Sequence, residues 1–328
     1  MPDSRPFVVL GGPIHPDAGT LLETEARVVT TMDETEAGFL KVAADADGIL
    51  IRGRPAATAS LMEGCKKLRV VGRHGVGLDT VDIPAATRLG VAIVHAPGSN
   101  SQAVAEHALM LMLTCAKRTL EIDRMTRTGD WSPRTEVRNI ELGGRTLGIV
   151  GVGNIGRRVA QFAGAIGMRV LGYDPYVPPD ELRRRGVEPV ATLEAMLPEC
   201  DVVTFHTPLT PETRGMLGDK NIRLMKDGAI VVNTSRGGVE VEHDVFEALT
   251  RGKLAAAGLD VWEREPAPVD GPLLNMPNVV CSTHIAGVTV EAHRVAGVQV
   301  AEEMLRVLRG ERPHVLVNPD VWPRLGVR

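Results

Sequence analysis

Residues 146–174 read TLGIVGVGNIGRRVAQFAGAIGMRVLGYD, and this stretch decides the fold. An apolar run at its start predicts a buried strand, and a second β-rich run ends at Asp174. Between the two runs, Gly151, Gly153 and Gly156 form the pattern G-x-G-x-x-G, and a helical pattern follows them. A strand, a glycine-rich turn, a helix and a second strand together predict a βαβ unit that binds the pyrophosphate of a dinucleotide.

Each glycine of this turn has its own physical role. Gly151 permits the tight turn, Gly153 lets the backbone approach a pyrophosphate, and Gly156 lets the helix pack close to the strand. Asn154 and Ile155 lie where the helix is expected to begin. The unpaired N–H groups and the positive dipole end of that helix favour an anion there, so these five residues are predicted to bind the cofactor.

Asp174 is the predicted ribose-binding acid. It follows Gly151 at roughly the 20-residue spacing that this role requires, and it stands at the end of the second strand. Its carboxylate can accept hydrogen bonds from ribose hydroxyls, and it would repel a 2′-phosphate. The predicted cofactor is therefore NAD and not NADP.

Short β-rich runs alternate with helical patterns through the rest of the chain. This alternation predicts an α/β fold with parallel strands. The segment 127–144 is expected to be irregular, and helical patterns at 103–118 and 290–309 border the central part. The predicted strands lie at 7–10, 48–51, 69–73, 91–95, 146–150, 169–173, 202–206, 229–233, 256–260 and 279–282.

Two domains are expected for a chain of 328 residues. The glycine turn lies near the middle of the chain, and further strands follow it. The predicted architecture is therefore a central Rossmann domain with a doubly wound parallel sheet, residues 103–290. This domain is inserted in a smaller flavodoxin-like α/β domain, which residues 1–102 and 291–328 form together.

Composition and charge exclude several other classes. A net charge of −4 and an aromatic content of 3% disfavour nucleic-acid binding, which uses basic faces and stacking rings. The cysteines lack metal-ligand spacing, so no metal is predicted, and Cys115, Cys200 and Cys281 lie in apolar surroundings that indicate buried thiols. The N-terminus shows no secretory pattern, and the apolar stretch 108–116 is too short for a bilayer. We expect a cytoplasmic protein without membrane contact.

Four further motifs stand at the carboxyl ends of predicted strands, where ligands bind in such sheets. They are HTP at 206–208, NTSRGG at 233–238, DVWEREP at 260–266 and THIAG at 283–287. Together with the glycine turn and with PGSNSQAVAEHALMLML at 97–113, they resemble the D-isomer-specific 2-hydroxyacid dehydrogenase family, which includes phosphoglycerate dehydrogenases. The resemblance extends over nearly the whole chain. It implies hydride transfer between NAD and C2 of a small anionic D-2-hydroxy acid.

The resemblance implies that Arg236, Glu265 and His284 are the catalytic residues. Chemistry supports these roles, because alcohol oxidation needs a base for the hydroxyl proton, and histidine suits this task near neutral pH. Glu265 would fix the tautomer of His284, and Arg236 would bind the substrate carboxylate and polarise the C2 oxygen. The local sequence alone leaves His206 and His107 as competitors of His284. The resemblance places His206 near the adenosine half of the cofactor. His107 lies in the long helical segment and is expected to be structural.

The same resemblance implies further contacts with the cofactor. Thr207 is expected near the adenosine half, and Thr234 and Ser235 are expected to line the nicotinamide pocket. Asp260 would hydrogen-bond the nicotinamide amide, and Gly287 would allow close approach of the backbone to the ring.

The substrate is expected to contact two loops of the smaller domain. Backbone N–H groups of Gly75, Val76 and Gly77 could receive the substrate carboxylate. Arg54 stands where the resemblance implies a contact with a second anionic group, such as a phosphate, a sulfonate or a second carboxylate. The alternative is that this arginine is solvated or paired. The partners implied are thus a 2-hydroxy or 2-keto acid and a second copy of the chain, which would form a homodimer through the helix at 103–118 and the arm at Trp131.

Two departures from the family pattern concern local loop geometry. Thr283 precedes His284 where proline is frequent, and VEVE stands at 239–242 where a hydrophobic–Val–Asp–Glu run is frequent. The alternative function is an NAD-sensing binding protein similar to co-repressors of this fold. A formate-type enzyme is disfavoured because it has glutamine in place of Glu265. An L-specific lactate or malate enzyme is disfavoured because its glycine turn lies near the N-terminus.

Overall fold

The computed structural model describes residues 4–132 and 139–325 and divides the chain into two compact units. Residues Met1–Asn100 and Val288–Arg328 form the first, here called the flanking unit. Residues Ser101–Gly287 form the second, the central unit. Within the described ranges, no helix combines the length and apolar character that crossing a membrane requires.

The flanking unit contains a parallel sheet of five strands in the order β2-β1-β3-β4-β5. Its strands are β1 (Phe7–Gly11), β2 (Arg27–Thr31), β3 (Gly48–Ile51), β4 (Val70–Arg73) and β5 (Ala92–His95). Its helices are α1 (Pro16–Glu23), α2 (Glu36–Ala43), α3 (Ala59–Gly64), α4 (Ile83–Leu89), α12 (Val290–Leu308) and α13 (Trp322–Leu325).

Helices cover both faces of this sheet because its strands are apolar on both sides. Val8 and Leu10 of β1 pack on one face with Val300 and Met304 of α12, whereas Val9 packs on the other face with α2 and α3. Strand β2 was not predicted from the sequence. It is an edge strand whose residues are exposed or only partly buried, so it lacks the continuous apolar run of β3.

The central unit contains a parallel sheet of seven strands in the order β12-β11-β10-β9-β6-β7-β8. Its strands are β6 (Thr146–Val150), β7 (Arg169–Tyr173), β8 (Glu188–Pro189), β9 (Val202–Phe205), β10 (Ala229–Asn233), β11 (Leu254–Leu259) and β12 (Val279–Cys281). Its helices are α5 (Ser101–Lys117), α6 (Thr119–Arg127), α7 (Gly156–Ala165), α8 (Pro179–Arg184), α9 (Leu193–Met196), α10 (Asp219–Ile222) and α11 (Glu242–Thr250).

The strand order reverses beside β6, whose neighbours are β9 and β7. This is the topological switch point of a doubly wound sheet, where ligands bind outside the carboxyl ends of the strands. The predicted fold class, a Rossmann sheet inserted between two flanking segments of an α/β domain, is confirmed. Strand β8 was missed because two residues at the sheet edge give no periodic signal.

One local prediction differs from the structure, and another lies partly outside the described residues. Cys281 is exposed and not buried, because it ends β12, which is an edge strand; Cys115 and Cys200 are buried as expected. The segment 127–144, expected to be irregular, lies partly outside the described residues, which end at 132 and resume at 139. Helix α6, immediately before it, was not predicted, because its residues are all exposed or only partly buried.

Candidate active site

The glycine turn connects β6 to α7 at the switch point. Gly151 has φ of 87°, a left-handed conformation that only glycine adopts without strain. A Cβ on Gly156 would lie 2.2 Å from the carbonyl oxygen of Gly151, so the first turn of α7 lies directly against the end of β6. Gly153 has open space where a side chain would stand. The turn therefore presents bare backbone at the start of a helix.

Asp174 is bonded to this turn from the end of β7. Its Oδ2 accepts the N–H of Val152 at 2.9 Å, and its Oδ1 accepts the N–H of Tyr176 at 2.9 Å. Each carboxylate oxygen keeps a further lone pair for a hydroxyl donor. The carboxylate is thus fixed beside the glycine turn in a geometry that suits a ribose diol.

Two buried hydroxyl groups at the same sheet edge have no hydrogen-bond partner among the described residues. They are Oγ1 of Thr207, which follows β9, and Oγ1 of Thr234, which follows β10. Buried polar groups are normally satisfied, so an orphaned pair at the ligand-binding edge indicates a polar ligand. Together with the bare turn and the fixed Asp174, these hydroxyls fit NAD.

His206, one of the competing histidines, is unsuited to acid–base chemistry near neutral pH. Its ring is partly buried, with Nδ1 shielded from solvent, and Nε2 lies 3.1 Å from the Oγ1 of Thr204. Burial lowers the pKa of His206 to about 3, so the ring stays neutral.

His284 and Glu265 form a close pair. Nδ1 of His284 lies 2.8 Å from Oε2 of Glu265, and both side chains are partly exposed, at 45% and 39%. With Nδ1–H donated to the carboxylate, Nε2 is left as the basic nitrogen. His284 has φ of 55°, which is strained for a residue with a side chain. A histidine that has a strained backbone and pairs with a carboxylate is an arrangement found in acid–base sites.

Asp260 holds the loop that carries His284. Its buried carboxylate accepts hydrogen bonds from Ser282 Oγ at 2.6 Å and from the N–H groups of Ile285 and Ala286, each at 2.9 Å. Its carbonyl oxygen accepts the N–H of His284 at 2.7 Å. Asp260 is therefore a positioning residue in this structure, and its contact with the nicotinamide amide stays a prediction.

His107, expected to be structural, extends this network. Its Nε2 lies 2.9 Å from Ser282 Oγ and 3.7 Å from Asp260 Oδ1. The position of a histidine on α5 gives no sign of this contact, because Ser282 lies 175 residues further along the chain. His107 thus supports the His284 loop through Ser282 and does not compete with His284 as the base.

Arg236 lies in a loop that a buried amide shapes. Oδ1 of Asn233 accepts the N–H and the hydroxyl of Ser235 at 2.8 and 2.7 Å, and Nδ2 of Asn233 donates to the carbonyl of Arg236 at 2.8 Å. A Cβ on Gly237 would lie 1.8 Å from the carbonyl oxygen of Trp262. The Arg236 loop therefore packs directly on the segment that leads to Glu265. Asn233 begins the NTSRGG motif, but the sequence predicted no role for it.

The predicted substrate residues lie in the flanking unit. Arg54 is exposed after β3, and Gly75, Val76 and Gly77 follow β4. Gly75 has φ of 124°, so this loop requires glycine. These residues share the carboxyl edge of their own sheet, and their role as substrate ligands stays a prediction. Across the described ranges, no group of three or more His, Cys, Asp or Glu side chains could hold a metal ion.

The switch-point turn, the fixed carboxylate of Asp174 and the orphaned hydroxyls define a dinucleotide-binding protein of the Rossmann type. Residues 109–286 match the family model of the D-isomer specific 2-hydroxyacid dehydrogenase, NAD binding domain. The chain belongs to this family, and its central unit carries the NAD-binding domain.

Relatives within the family act on different acids. The chain is 41% identical to D-3-phosphoglycerate dehydrogenase of Methanocaldococcus jannaschii over 97% of its own length and 60% of that protein. It is 36% identical to hydroxypyruvate reductase of Thermotoga maritima, over 93% of this chain and 99% of that one. Among solved structures, D-lactate dehydrogenase from Aquifex aeolicus, complexed with NAD and lactic acid, has a TM-score of 0.82 at 27% identity, covering 95% of this chain and 99% of that one. The chain thus spans about three fifths of the length of this phosphoglycerate dehydrogenase.

Proposed function

We propose that this protein is an NAD-dependent dehydrogenase that interconverts a small anionic D-2-hydroxy acid and its 2-keto acid. The observation that carries the proposal is the 2.8 Å pair of His284 and Glu265 in an NAD-binding domain of this family. When bound, NAD supplies the nicotinamide ring that accepts or returns the hydride of C2.

His284 is the acid–base residue of this mechanism. Its Nε2 removes the hydroxyl proton when the alcohol is oxidised and returns it when the keto acid is reduced. Glu265, 2.8 Å from Nδ1, holds that nitrogen as the donor and stabilises the imidazolium that forms. Arg236 binds the substrate carboxylate with its planar guanidinium and polarises the C2 oxygen. Oxidation thus removes a proton from the hydroxyl group and a hydride from C2, and reduction returns both. The substrate carboxylate keeps its negative charge throughout.

The flanking unit supplies the remaining substrate contacts in this proposal. The N–H groups of Gly75, Val76 and Gly77 receive the carboxylate, and Arg54 pairs with a second anionic group. Arg54 is exposed at the carboxyl edge of its sheet, and the phosphoglycerate dehydrogenases among the relatives act on an acid with such a group. We therefore propose 3-phosphoglycerate or a similar doubly anionic acid as the substrate class.

A homodimer in the cytoplasm completes the proposal. Large apolar side chains of α5, of α6 and of the segment after it are exposed on the single chain: Met110 at 42%, Leu120 at 50% and Trp131 at 66%. Exposed apolar groups of this size are typical of subunit contacts. Light scattering of the purified protein tests this proposal, and a monomer at micromolar concentration would contradict it.

The histidine is tested with His284→Ala. Turnover is expected to fall by roughly 10²–10⁴-fold, the usual contribution of acid–base catalysis, while the Kd for NADH stays within about twofold. His243→Ala, an exposed histidine on α11, is the matched control and should keep wild-type turnover. Turnover near the wild-type value in the His284 variant would remove this residue from the mechanism.

A substrate panel tests the acid. NADH absorbance is followed with D-glycerate, D-lactate, D-malate, 3-phosphoglycerate and a sulfonated analogue, and with the corresponding keto acids in reverse. The doubly anionic acids are expected to give the highest kcat/KM. If acids with uncharged tails are turned over best, the role of Arg54 is wrong. If NADH binds but no acid is turned over, the protein is an NAD-sensing binding protein.

A further inference from the structure

The buried carboxyl group of Glu240 has no part in the mechanism above. Glu240 stands in the VEVE segment, just before α11, and its side chain is fully buried. Its Oε2 accepts a hydrogen bond from Nδ2 of Asn233, and its Oε1 has no partner within the described ranges. An acid is rarely buried without a charged partner, because desolvation of its ionised form is costly.

The partner of Glu240 is the amide that shapes the Arg236 loop. Asn233 is fully buried at the end of β10 and uses both amide hydrogens as donors, one to Glu240 and one to the Arg236 carbonyl. Its Oδ1 accepts both donors of Ser235. An amide flip would place a carbonyl oxygen against two acceptors. Glu240 therefore acts together with the Ser235 N–H and the Arg236 carbonyl to favour the one orientation of Asn233 that supports this loop.

We propose that Glu240 is a positioning residue, which fixes the Asn233 amide and through it the loop that carries Ser235 and Arg236. This inference rests on the proposed role of Arg236 in binding the substrate carboxylate. Glu240 itself touches neither substrate nor cofactor in this proposal.

The charge state of Glu240 is coupled to this role. Burial, together with the nearby carboxylates of Glu242 and Glu263, raises the pKa of Glu240 to about 8. Glu242 begins α11 and Glu263 lies in the loop after β11, and both of these facing charges are negative. The neutral carboxyl is the form that this packing accepts. Ionisation would place an uncompensated charge on the buried carboxyl that supports the Arg236 loop. We therefore expect the loop to become less well ordered as the pH rises past 8.

Two substitutions separate positioning from plain structural support. Glu240→Val keeps the segment apolar but removes the acceptor of Asn233. Its melting temperature is expected to stay close to the wild-type value, because removal of the buried acid's desolvation cost offsets the cost of leaving one Asn233 amide hydrogen without an acceptor. Its kcat/KM for hydroxypyruvate with NADH is expected to fall about fivefold to tenfold, the worth of one hydrogen bond. Glu247→Gln, an acid on the surface of α11 that pairs with Arg251, is the matched control and should change neither quantity.

Glu240→Gln keeps an acceptor for Asn233 but cannot ionise. We expect this variant to match the wild type near pH 7 and to exceed its kcat/KM by about threefold or more near pH 9, where the wild-type carboxyl is charged. If the valine variant keeps kcat/KM within about twofold, or if the glutamine variant follows the wild-type pH profile, the positioning role is wrong. Should the valine variant fail to fold, the pH profile of the glutamine variant decides alone.

The same experiment distinguishes failure of this inference from failure of the proposed function. The Kd for NADH, measured by fluorescence, reports on the Ser235 loop without any substrate. If the wild type reduces no keto acid, the proposed function fails, and a Kd that rises in Glu240→Val but not in Glu240→Gln still supports positioning. If the wild type is active and neither kcat/KM nor this Kd responds to Glu240→Val, only the positioning inference fails.

Discussion

Replacing Asp260 with asparagine tests how the His284 loop is held. One carboxylate oxygen accepts Ser282 Oγ at 2.6 Å and the Ile285 N–H at 2.9 Å, and the other accepts the Ala286 N–H at 2.9 Å. An asparagine keeps one acceptor oxygen, so its NH₂ group must face a donor. At least one charge-assisted bond is lost, which costs about 1.5–3 kcal/mol. For a domain of this size the melting temperature should fall by roughly 5–10 °C.

Activity should fall by more than this stability loss explains. His284 has φ of 55°, and this left-handed conformation costs about 1–2 kcal/mol, which the Asp260 bonds offset. Without them the loop relaxes and the imidazole moves, and a displacement near 1 Å lowers turnover by about 10²-fold. The assay is NADH-linked reduction of hydroxypyruvate, measured well below the new melting temperature.

The matched control is Asp227→Asn. This aspartate is 90% exposed and pairs with Lys253, so its loss should shift the melting temperature by less than about 1 °C. If Asp260→Asn kept both wild-type stability and wild-type turnover, the loop would not depend on the carboxylate, and the account of His284 strain would be refuted.

Two further predictions concern side chains that follow strands β7 and β9 of the central sheet. Asp174→Ala should lower the preference for NAD over NADP by at least about tenfold in kcat/KM, because the variant loses both the acceptor for ribose hydroxyls and the repulsion of a 2′-phosphate; an unchanged preference contradicts that role. His206 is neutral in the folded state with a pKa of about 3, below its unfolded value, so its contribution to stability is present above pH 6.5 and is lost as the pH falls towards 3. In denaturant unfolding, the free energy of unfolding should fall by up to about 1.4 kcal/mol for each unit by which the pH drops in this range. A His206→Gln variant should lose this part of the pH dependence.

The features predicted most reliably from the sequence are those that a single short segment of the chain determines. The glycine turn, the strand before it and the acid at the end of the next strand all lie within 146–174, where spacing alone indicates geometry. The long helices were located within one or two residues, because their patterns persist over many turns: α5 runs Ser101–Lys117 and α12 runs Val290–Leu308. The edge strands β2 and β8 were missed because half-exposed residues carry little apolar periodicity.

The supporting contacts of the site could not be predicted, because they depend on how the chain folds back on itself and not on a local spacing pattern. His107 meets Ser282 across 175 residues. Asn233 was visible in its motif, but its amide donates both to the carbonyl of Arg236 and to the carboxyl of Glu240, which the turn of the Arg236 loop brings back to it. The sequence identified residues by chemical type, and the three-dimensional packing decided which of them act on substrate and which act on each other.

The two loops with catalytic candidates are built on the same physical plan. Each is held by a buried polar side chain beside the carboxyl end of a strand, Asn233 of β10 for the Arg236 loop and Asp260, directly after β11, for the His284 loop. The Oδ1 of Asn233 accepts the N–H of Ser235, in the loop that directly follows it. The carboxylate of Asp260 accepts the N–H groups of Ile285 and Ala286, in the loop after the neighbouring strand β12. The N–H of Asp260 also donates to the carbonyl of Asn233 at 3.0 Å, so β10 and β11 hold the two anchors in fixed register. The loops that carry Arg236 and His284 are thereby anchored to the same rigid edge of the sheet. This anchoring explains why polar groups are buried in a core that apolar residues would fill at lower cost.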